Sequence, residues 1–563
     1  MKHFIAALWG VLFGASGSLA QPMKDEPEPH ERCDEPVMTM PAATARMAPL
    51  PRWMTSAGGA VHVQVNVDGD GLNILGDAGN EPTIAVDPTA PNRMAICWRQ
   101  FDTVASDFRQ AGYSFTVDGG RSWSPIGVIQ PGVFRSDPVL AADGNGDFHF
   151  LALGLEDGFT VWHHLSTDGG ATWGDASFAF GGDKQWFSVS ADGRTLYQNW
   201  SSAFSRSFDG GASWETPIEM FAAGGLTTAE PIWGNSAIGP DGALYIIGRF
   251  ASTVQRIVLI RSDEPGATPM RFDFGVEVPL GGGVGFRGNP NPGGLMGMPQ
   301  VAVNHAPGAL HGEVYALLSA SPGGTRIQSQ VHFARSTDRG ETWSEFVRLN
   351  DDPAPDNRWH WFATMSVAPN GRIDVVWLDM RDDPTPADFT YLSALYRSSS
   401  EDGGRTWSPN ERLSVSFDSR LGFPSQAKMG DYFHMASDDL GADLAWCATF
   451  EGEQNIYYTR IGPRDCDRNG VDDEADLLNG TLTDCDGDGV PDACEIAAGV
   501  PVPCFGCVAD FAEPFGLLDL ADLVAFVVSF TGEEPRADLA EPFGLFDLGD
   551  VLAFVEAFAA GCG

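Results

Sequence analysis

The chain is short of positive charge. Of its 563 residues only 34 are Lys or Arg, against 76 Asp and Glu, for a formal net charge of −42. Phosphate backbones are gripped by Lys and Arg, so this balance excludes nucleic acid as a partner class. An acidic surface attracts divalent cations instead. Long apolar runs are also missing after the first 20 residues, and no later stretch is long enough to cross a bilayer, which argues against a membrane-spanning protein. No long segment of helical period occurs before residue 515, so most of the chain is not a helical bundle. Cysteine is scarce in the first 465 residues, where Cys33, Cys97 and Cys447 are scattered. Cys466, Cys485, Cys494, Cys504, Cys507 and Cys562 crowd the C-terminal part instead. In an exported chain such crowding reads as disulfides stapling small modules, with one thiol of the odd nine left over.

What is present points to export and to β structure. Lys2 and His3 precede an apolar run from Phe4 to Phe13, and the small residues Ser18 and Ala20 suit cleavage before Gln21. Residues 1–20 are therefore expected to be a signal peptide and 21–60 a linker, giving a secreted or cell-surface protein. The 67 glycines and 16 tryptophans suit short strands joined by tight turns. One pattern, (Ser/Thr)-x-Asp-x-Gly-x-(Ser/Thr)-Trp, occurs five times, at Thr116–Trp123, Ser166–Trp173, Ser207–Trp214, Ser336–Trp343 and Ser400–Trp407. Each residue type serves a tight hairpin: the Asp accepts backbone N–H groups, Gly takes a positive φ, and Trp covers the turn.

Between these boxes a larger unit recurs, an apolar inner strand, a polar turn, a second apolar strand and then the box-bearing hairpin. Seven inner strands are predicted, starting at Pro82, Pro138, Gln185, Trp233, Pro299, Trp361 and Tyr432. The last unit supplies only three strands, ending in Asn455–Arg460, and the alternating segment His62–Val67 has no partner of its own. His62–Val67 is thus predicted to be the outer strand of the last unit, closing a ring without open edges. The fold class is all-β, a β-propeller over 61–462 with seven blades favoured; six is the alternative if two units share a blade.

The boxes resemble the Asp-box, or BNR repeat, of the sialidase-like β-propellers, and the resemblance covers roughly Glu81 to Ile461. It implies an exported, carbohydrate-active propeller that binds terminal acidic sugars of glycans and, as a sialidase-like glycoside hydrolase, cleaves them. Carried onto this sequence, it assigns Tyr432 as nucleophile, Glu230 as its partner, and Asp102 or Asp137 as acid/base. Arg99, Arg249 and Arg381 would grip the substrate carboxylate. Sialidases open the first inner strand with Arg-Ile-Pro where this chain has Asn80-Glu81-Pro82, which puts Asn80 and the carboxylate of Glu81 where the first carboxylate-gripping arginine would be. The alternative function is a non-catalytic extracellular propeller that binds a glycan, another polar ligand or a protein through the same mouth.

After the propeller, two segments match Asp-x-(Asp/Asn)-x-(Asp/Asn)-Gly followed by an acid, a spacing that places oxygens around one hard cation. The first offers Asp465, Asp467, Asn469 and Asp476, and the second Asp484, Asp486, Asp488 and Glu495. They resemble thrombospondin type 3 repeats, which implies Ca²⁺ as a structural cofactor stiffening a stalk over 463–500. Residues 501–563 hold a duplication, Ala509–Asp522 returning as Ala537–Asp550, each copy running into an apolar helical segment. This resembles a dockerin pair and implies attachment to a scaffold or cell-surface protein.

Overall fold

The structure is a computed structural model. It describes residues 53–55 and 60–560, apart from 157, 202, 227, 323–327, 354–357, 385–390, 485–487, 501–508, 510, 513–517, 519, 533–536, 538, 540–545 and 547. The signal-peptide reading of residues 1–20 lies outside the described residues. Seven antiparallel sheets of four or five strands form a seven-bladed propeller, as the repeat count predicted. The second strands, such as Met94–Phe101, Phe148–Gly154 and Ile373–Asp379, are buried along their whole length, because each is packed between neighbouring blades. A strand covered on both faces reads as continuous apolar sequence, which is why these segments were visible.

The ring closes as the unpartnered N-terminal segment required. Val61–Gln64 pairs antiparallel with Asn455–Ile461, with His62 opposite Thr459 and Val63 opposite Tyr458. Beyond it Trp53–Thr55 adds an edge strand. The seventh blade is therefore built from both ends of the propeller, so its pairing ties the ring shut.

Each box lies between the third and fourth strands of its blade. In an up-and-down blade that puts the boxes at the end opposite to where the inner strands start, here called the box face and the entry face. In the first box Asp118 accepts Ser122 N at 3.0 Å and the Ser122 hydroxyl at 2.5 Å, while Gly120 N donates to Thr116 Oγ1 at 3.1 Å. Equivalent bonds recur around Asp168, Asp209, Asp338 and Asp402.

Two features were not predicted. The inner edge of the fifth blade is split into Gly283–Val284 and Gln300–Val303, which both pair with Val314–Ser321, and the chain between them leaves the sheet on the entry face. Five inner strands also begin with a non-glycine residue in the left-handed region: Glu81, Asp137, Lys184, Trp233 and Phe362, with φ between 45° and 60°. The register shifts at Asn80/Thr83, Ser136/Val139 and Trp361/Thr364 are bulges at these points. A bulge re-aims a side chain, and in the first two blades it turns Glu81 and Asp137 toward the axis.

Four helices follow the propeller: Asp473–Asn479, Asp492–Ala498, Leu520–Thr531 and Leu548–Ala560. A Cys466–Cys494 disulfide joins the first two loop–helix units. The last two helices pack through Phe526 and Phe554, stacked at 4.0 Å. In this duplicated unit Asp522 Oδ1 accepts Phe511 N at 2.8 Å and Asp550 Oδ1 accepts Leu539 N at 2.6 Å, so both carboxylates are engaged by the backbone. Among the described residues no helix is long and apolar enough to cross a membrane.

Candidate functional site

The left-handed starts of the first three inner strands bring Glu81, Asp137 and Lys184 to the axis, where Arg99, Lys428 and Asp431 join them. Arg99 uses every side of its guanidinium: Nε donates to Asn80 Oδ1 at 2.9 Å, Nη2 to Gln426 Oε1 at 2.8 Å, and Nη1 lies 3.2 Å from Glu81 and 3.8 Å from Asp137. Asp431 Oδ2 sits 2.9 Å from Lys184 Nζ and 2.8 Å from Lys428 Nζ, and Lys428 is 3.3 Å from Glu81. Three carboxylates face three cations, and none of the six residues is more than 8% exposed.

Burial sets the protonation of this cluster. It pushes Glu81 up to about 7 against the pull of Arg99 and Lys428. Burial would also raise Asp431, but Lys184 and Lys428 hold it well below the usual carboxylate range. Lys184, which burial alone would depress, is held well above the ordinary lysine value by Asp183 and Asp431. Charges this deep are tolerable only because each has an opposite neighbour.

The cluster is covered from the entry face by the chain itself. The excursion between Val284 and Gln300 meets the segment before the seventh blade through Asn291, which is fully buried. Asn291 Nδ2 donates to Leu295 O at 2.6 Å and Gly430 O at 2.8 Å, and its Oδ1 accepts Met429 N at 2.8 Å. Leu295 N donates to Asp431 Oδ1 at 2.7 Å, and Gly293 N to Ala427 O at 3.0 Å.

The sequence-predicted residues therefore fall into separate places. Arg99, Asp137, Glu81 and Tyr432 are together at the axis. Tyr432 is 3% exposed, and its hydroxyl donates to Pro138 O at 3.2 Å. Burial, with Glu81 and Asp137 nearby, drives its phenol well above the ordinary value. The structure does not bring Glu230 to it. Glu230 precedes the fourth inner strand, half-buried, and is raised by burial and by Glu219. Asp102 accepts Gln110 Nε2 at 3.0 and 3.2 Å, and burial lifts it to about 6. Arg381 lies at the rim of the sixth blade, bonded to Asp379, Asp351 and Asn410 and stacked over Tyr396 at 4.4 Å. There His360 sits between Asp352 at 3.1 Å and Asp379 at 3.5 Å; burial alone would lower its pKa, and the two acids raise it instead.

Arg249 is different. Its guanidinium lies over the Trp233 ring at 3.9 Å, and Nη1 donates to the carbonyls of Phe250 and Ala251. Among the described residues no carboxylate pairs with it, Nε is buried without a hydrogen-bond partner, and burial lowers its pKa to about 10. Trp233, half-buried, lies 6.1 Å from the half-buried Phe286, over which the exposed Arg287 is stacked at 4.8 Å. Two aromatic faces and two guanidinium groups thus form a patch on the entry face.

In the C-terminal loops, oxygens of Asp465, Asp467 and Asp473 lie within 4.8 Å of one another. Asp473 joins the candidates read from the spacing, and Asn469 holds two of them together, its Nδ2 donating to Asp467 Oδ2 at 3.0 Å and to Asp476 Oδ2 at 2.7 Å. In the second loop Asp484 accepts Gly489 N at 2.9 Å, Asp488 accepts Val490 N at 2.7 Å, and Glu495 is buried; Asp486 lies outside the described residues. The residues missed by sequence reasoning, Lys428, Gln426, Asn291 and Trp233 as a platform, lie in loops or at a bulge, where no periodicity marks them.

No family model matches the chain, and no curated protein does. Among solved structures, a protein of unknown function from Dyadobacter fermentans is 14% identical over 74% of this chain and 100% of its own, with a TM-score of 0.39. A Hadza microbial sialidase is 14% identical over 71% of this chain and 69% of its own, at 0.36. A polysaccharide lyase described as an ulvan lyase is 11% identical over 71% and 96%, at 0.40. At such identities and scores these likenesses place no chemistry on this chain; the propeller stands on its own strand order.

Proposed function

We propose that this is an exported propeller that binds an acidic glycan on its entry face, with Arg249 on Trp233 taking the carboxylate or sulfate, and that it does not run sialidase chemistry at Tyr432. The observation that carries the reading is Arg249 itself. An anion compensates a half-buried guanidinium better than carbonyls or a ring face do, and among the described residues this one has two carbonyls, an aromatic platform and an unbonded Nε but no acid. Trp233 and Phe286, both half-buried, add apolar surface beside that guanidinium, and Arg287, stacked over Phe286, adds a second cation. Against catalysis at the axis stand the donated Tyr432 hydroxyl, its distance in the fold from Glu230, and the covering segments.

The same reading gives the C-terminal loops Ca²⁺ and gives the duplicated helical unit an attachment role toward a scaffold or cell-surface protein. The loops suit a hard cation: all candidate ligands are oxygens, and Asp473 keeps a buried oxygen without a partner. A glycan array carrying sialylated, uronate-bearing, sulfated and neutral structures tests the ligand. Binding confined to acidic glycans and lost on Arg249→Gln is expected. Turnover of fluorogenic sialosides that disappears on Tyr432→Phe would restore the hydrolase.

A further inference from the structure

The calcium-type loops lie against the seam where the ring closes. Arg464, just before the first loop, donates through Nη1 to the Gly119 carbonyl in the first box and, at 3.2 Å, to the Tyr458 hydroxyl. Tyr458 belongs to the strand that pairs with the closing N-terminal segment, and its hydroxyl donates to Asp443 at 2.6 Å. Its ring occupies the space a Cβ on Gly120 would need, 2.4 Å from Tyr458 Cε1, so the first blade's box is pressed onto the seventh blade. From the other side Arg121 of the same box donates to Gly489 O in the second loop at 2.7 Å.

These contacts depend on the shape of the loops. A cavity of about 930 Å³ separates the module from the propeller, with Arg121, Arg464, Asp473 and Gly489 on its walls, so a few arginines carry the junction rather than a packed apolar surface. Asp473 N donates to Arg464 O at 2.8 Å, which ties the first loop directly to the residue that reaches the box. The disulfide Cys466–Cys494 passes that position on to the second loop. Asp473 is 2% exposed; its Oδ1 accepts Cys466 N at 2.9 Å, its Oδ2 is buried with no hydrogen-bond partner, and its carboxylate lies within 4.8 Å of those of Asp465 and Asp467. The nearby cations, Arg121 and Arg464, are hydrogen-bonded to the carbonyls of Gly489 and Gly119, which leaves three converging carboxylates with one buried oxygen that no donor reaches.

We propose that a divalent cation held by Asp465, Asp467 and Asp473 fixes the loop that positions Arg464 and the acceptor of Arg121, making the module a cation-dependent clasp across the ring-closing seam. This rests on the calcium reading of the loops. A cation that binds the docked loop better than the undocked one stabilises the docked state by that difference, and the stabilisation is felt by the strands it clamps.

The mature full-length chain is titrated with CaCl₂, with bound Ca²⁺ counted by equilibrium dialysis and propeller melting followed by tryptophan fluorescence. Ca²⁺ is expected to raise the propeller Tm by about 3–8 °C over EDTA. Asp473→Asn should abolish both the binding at the first loop and the shift. Arg464→Gln should keep Ca²⁺ binding within about threefold yet lose most of the shift, because it cuts the link and spares the ligands. Ca²⁺ bound with no change in propeller Tm would overturn the clasp and leave the calcium reading standing. No bound Ca²⁺ would overturn both.

Discussion

Arg99 and Arg249 occupy comparable places, at the ends of second strands in the first and fourth blades, yet their surroundings are opposite. Arg99 is saturated by Asn80, Glu81, Gln426 and Asp137, and is buried. Arg249 has two carbonyls, a tryptophan face and, among the described residues, no acid. The axial arginine acts as mortar between blades, and the rim arginine has its charge left over. A guanidinium at a propeller mouth is therefore informative only once its partners are counted, since pairing converts a binding group into a structural one.

The sharpest way to break this comparison is to unbalance the axis. Asp431→Ala leaves Lys184 and Lys428 facing each other with one fewer carboxylate and should cost about 3–5 kcal/mol in denaturant unfolding. A loss under about 1 kcal/mol would mean that the axis is wet and its ion pairs are weak. Acid should act next. His434 lies 3.1 Å from Ile84 O at the inner strand of the seventh blade, and burial lowers its pKa to about 4. A base depressed on folding contributes stability that is complete above the unfolded value near 6.5 and is lost as pH falls toward 4. Relative to a His434→Gln variant, the wild type should lose on the order of 3 kcal/mol across that window; parallel pH profiles would place His434 in contact with water.

Arg249→Ala is expected to weaken acidic-glycan binding by about 10–100-fold, the loss of a charged hydrogen bond, while changing stability by less than about 1 kcal/mol. Equal affinity for wild type and variant would move the ligand elsewhere. The smallest effect belongs to Tyr432→Phe. Removing its bond to Pro138 should cost about 1 kcal/mol of stability and leave glycan affinity unchanged. If the variant instead altered affinity without altering stability, the axis would have to be open to ligand.

The propeller was legible because its signals are local and repeated. A box fixes its own turn through Asp, Ser and Gly within eight residues, and a strand packed on both faces advertises itself as an apolar run. Even the closure could be read, since an alternating segment without a neighbour has to pair with the one blade that lacks a strand. The composition of the axial cluster was partly legible too, because Glu81, Arg99, Asp137 and Tyr432 were already among the candidate site residues. Its burial was not. That depends on Asn291, Gln426 and Lys428, which sit in Gly- and Pro-rich loops whose inward path follows from three-dimensional complementarity between segments more than 120 residues apart. The separation of Glu230 from Tyr432 is likewise a matter of position around the ring, which strand order alone leaves open. In the first calcium-type loop the spacing singles out Asp465, Asp467, Asn469 and Asp476, but Asp473 falls outside that spacing, and its place beside Asp465 and Asp467 depends on how the helix start folds back on the loop.

The left-handed strand starts carry a consequence for how this ring can change over evolutionary time. Glycine would be the easy residue at such a φ, yet five of these sites keep a side chain, at a conformational cost of about 1–3 kcal/mol each. Gly430, by contrast, admits nothing larger, since a Cβ there would meet Glu81 Cγ at 2.6 Å. Five of the seven blades thus carry an addressable slot at the start of the inner strand, set by the backbone turn rather than by the alternation that folds the sheet. Exchanging residues in those slots would rewrite the charge of the hub, from sealed and neutral to open and reactive, while every strand kept its register.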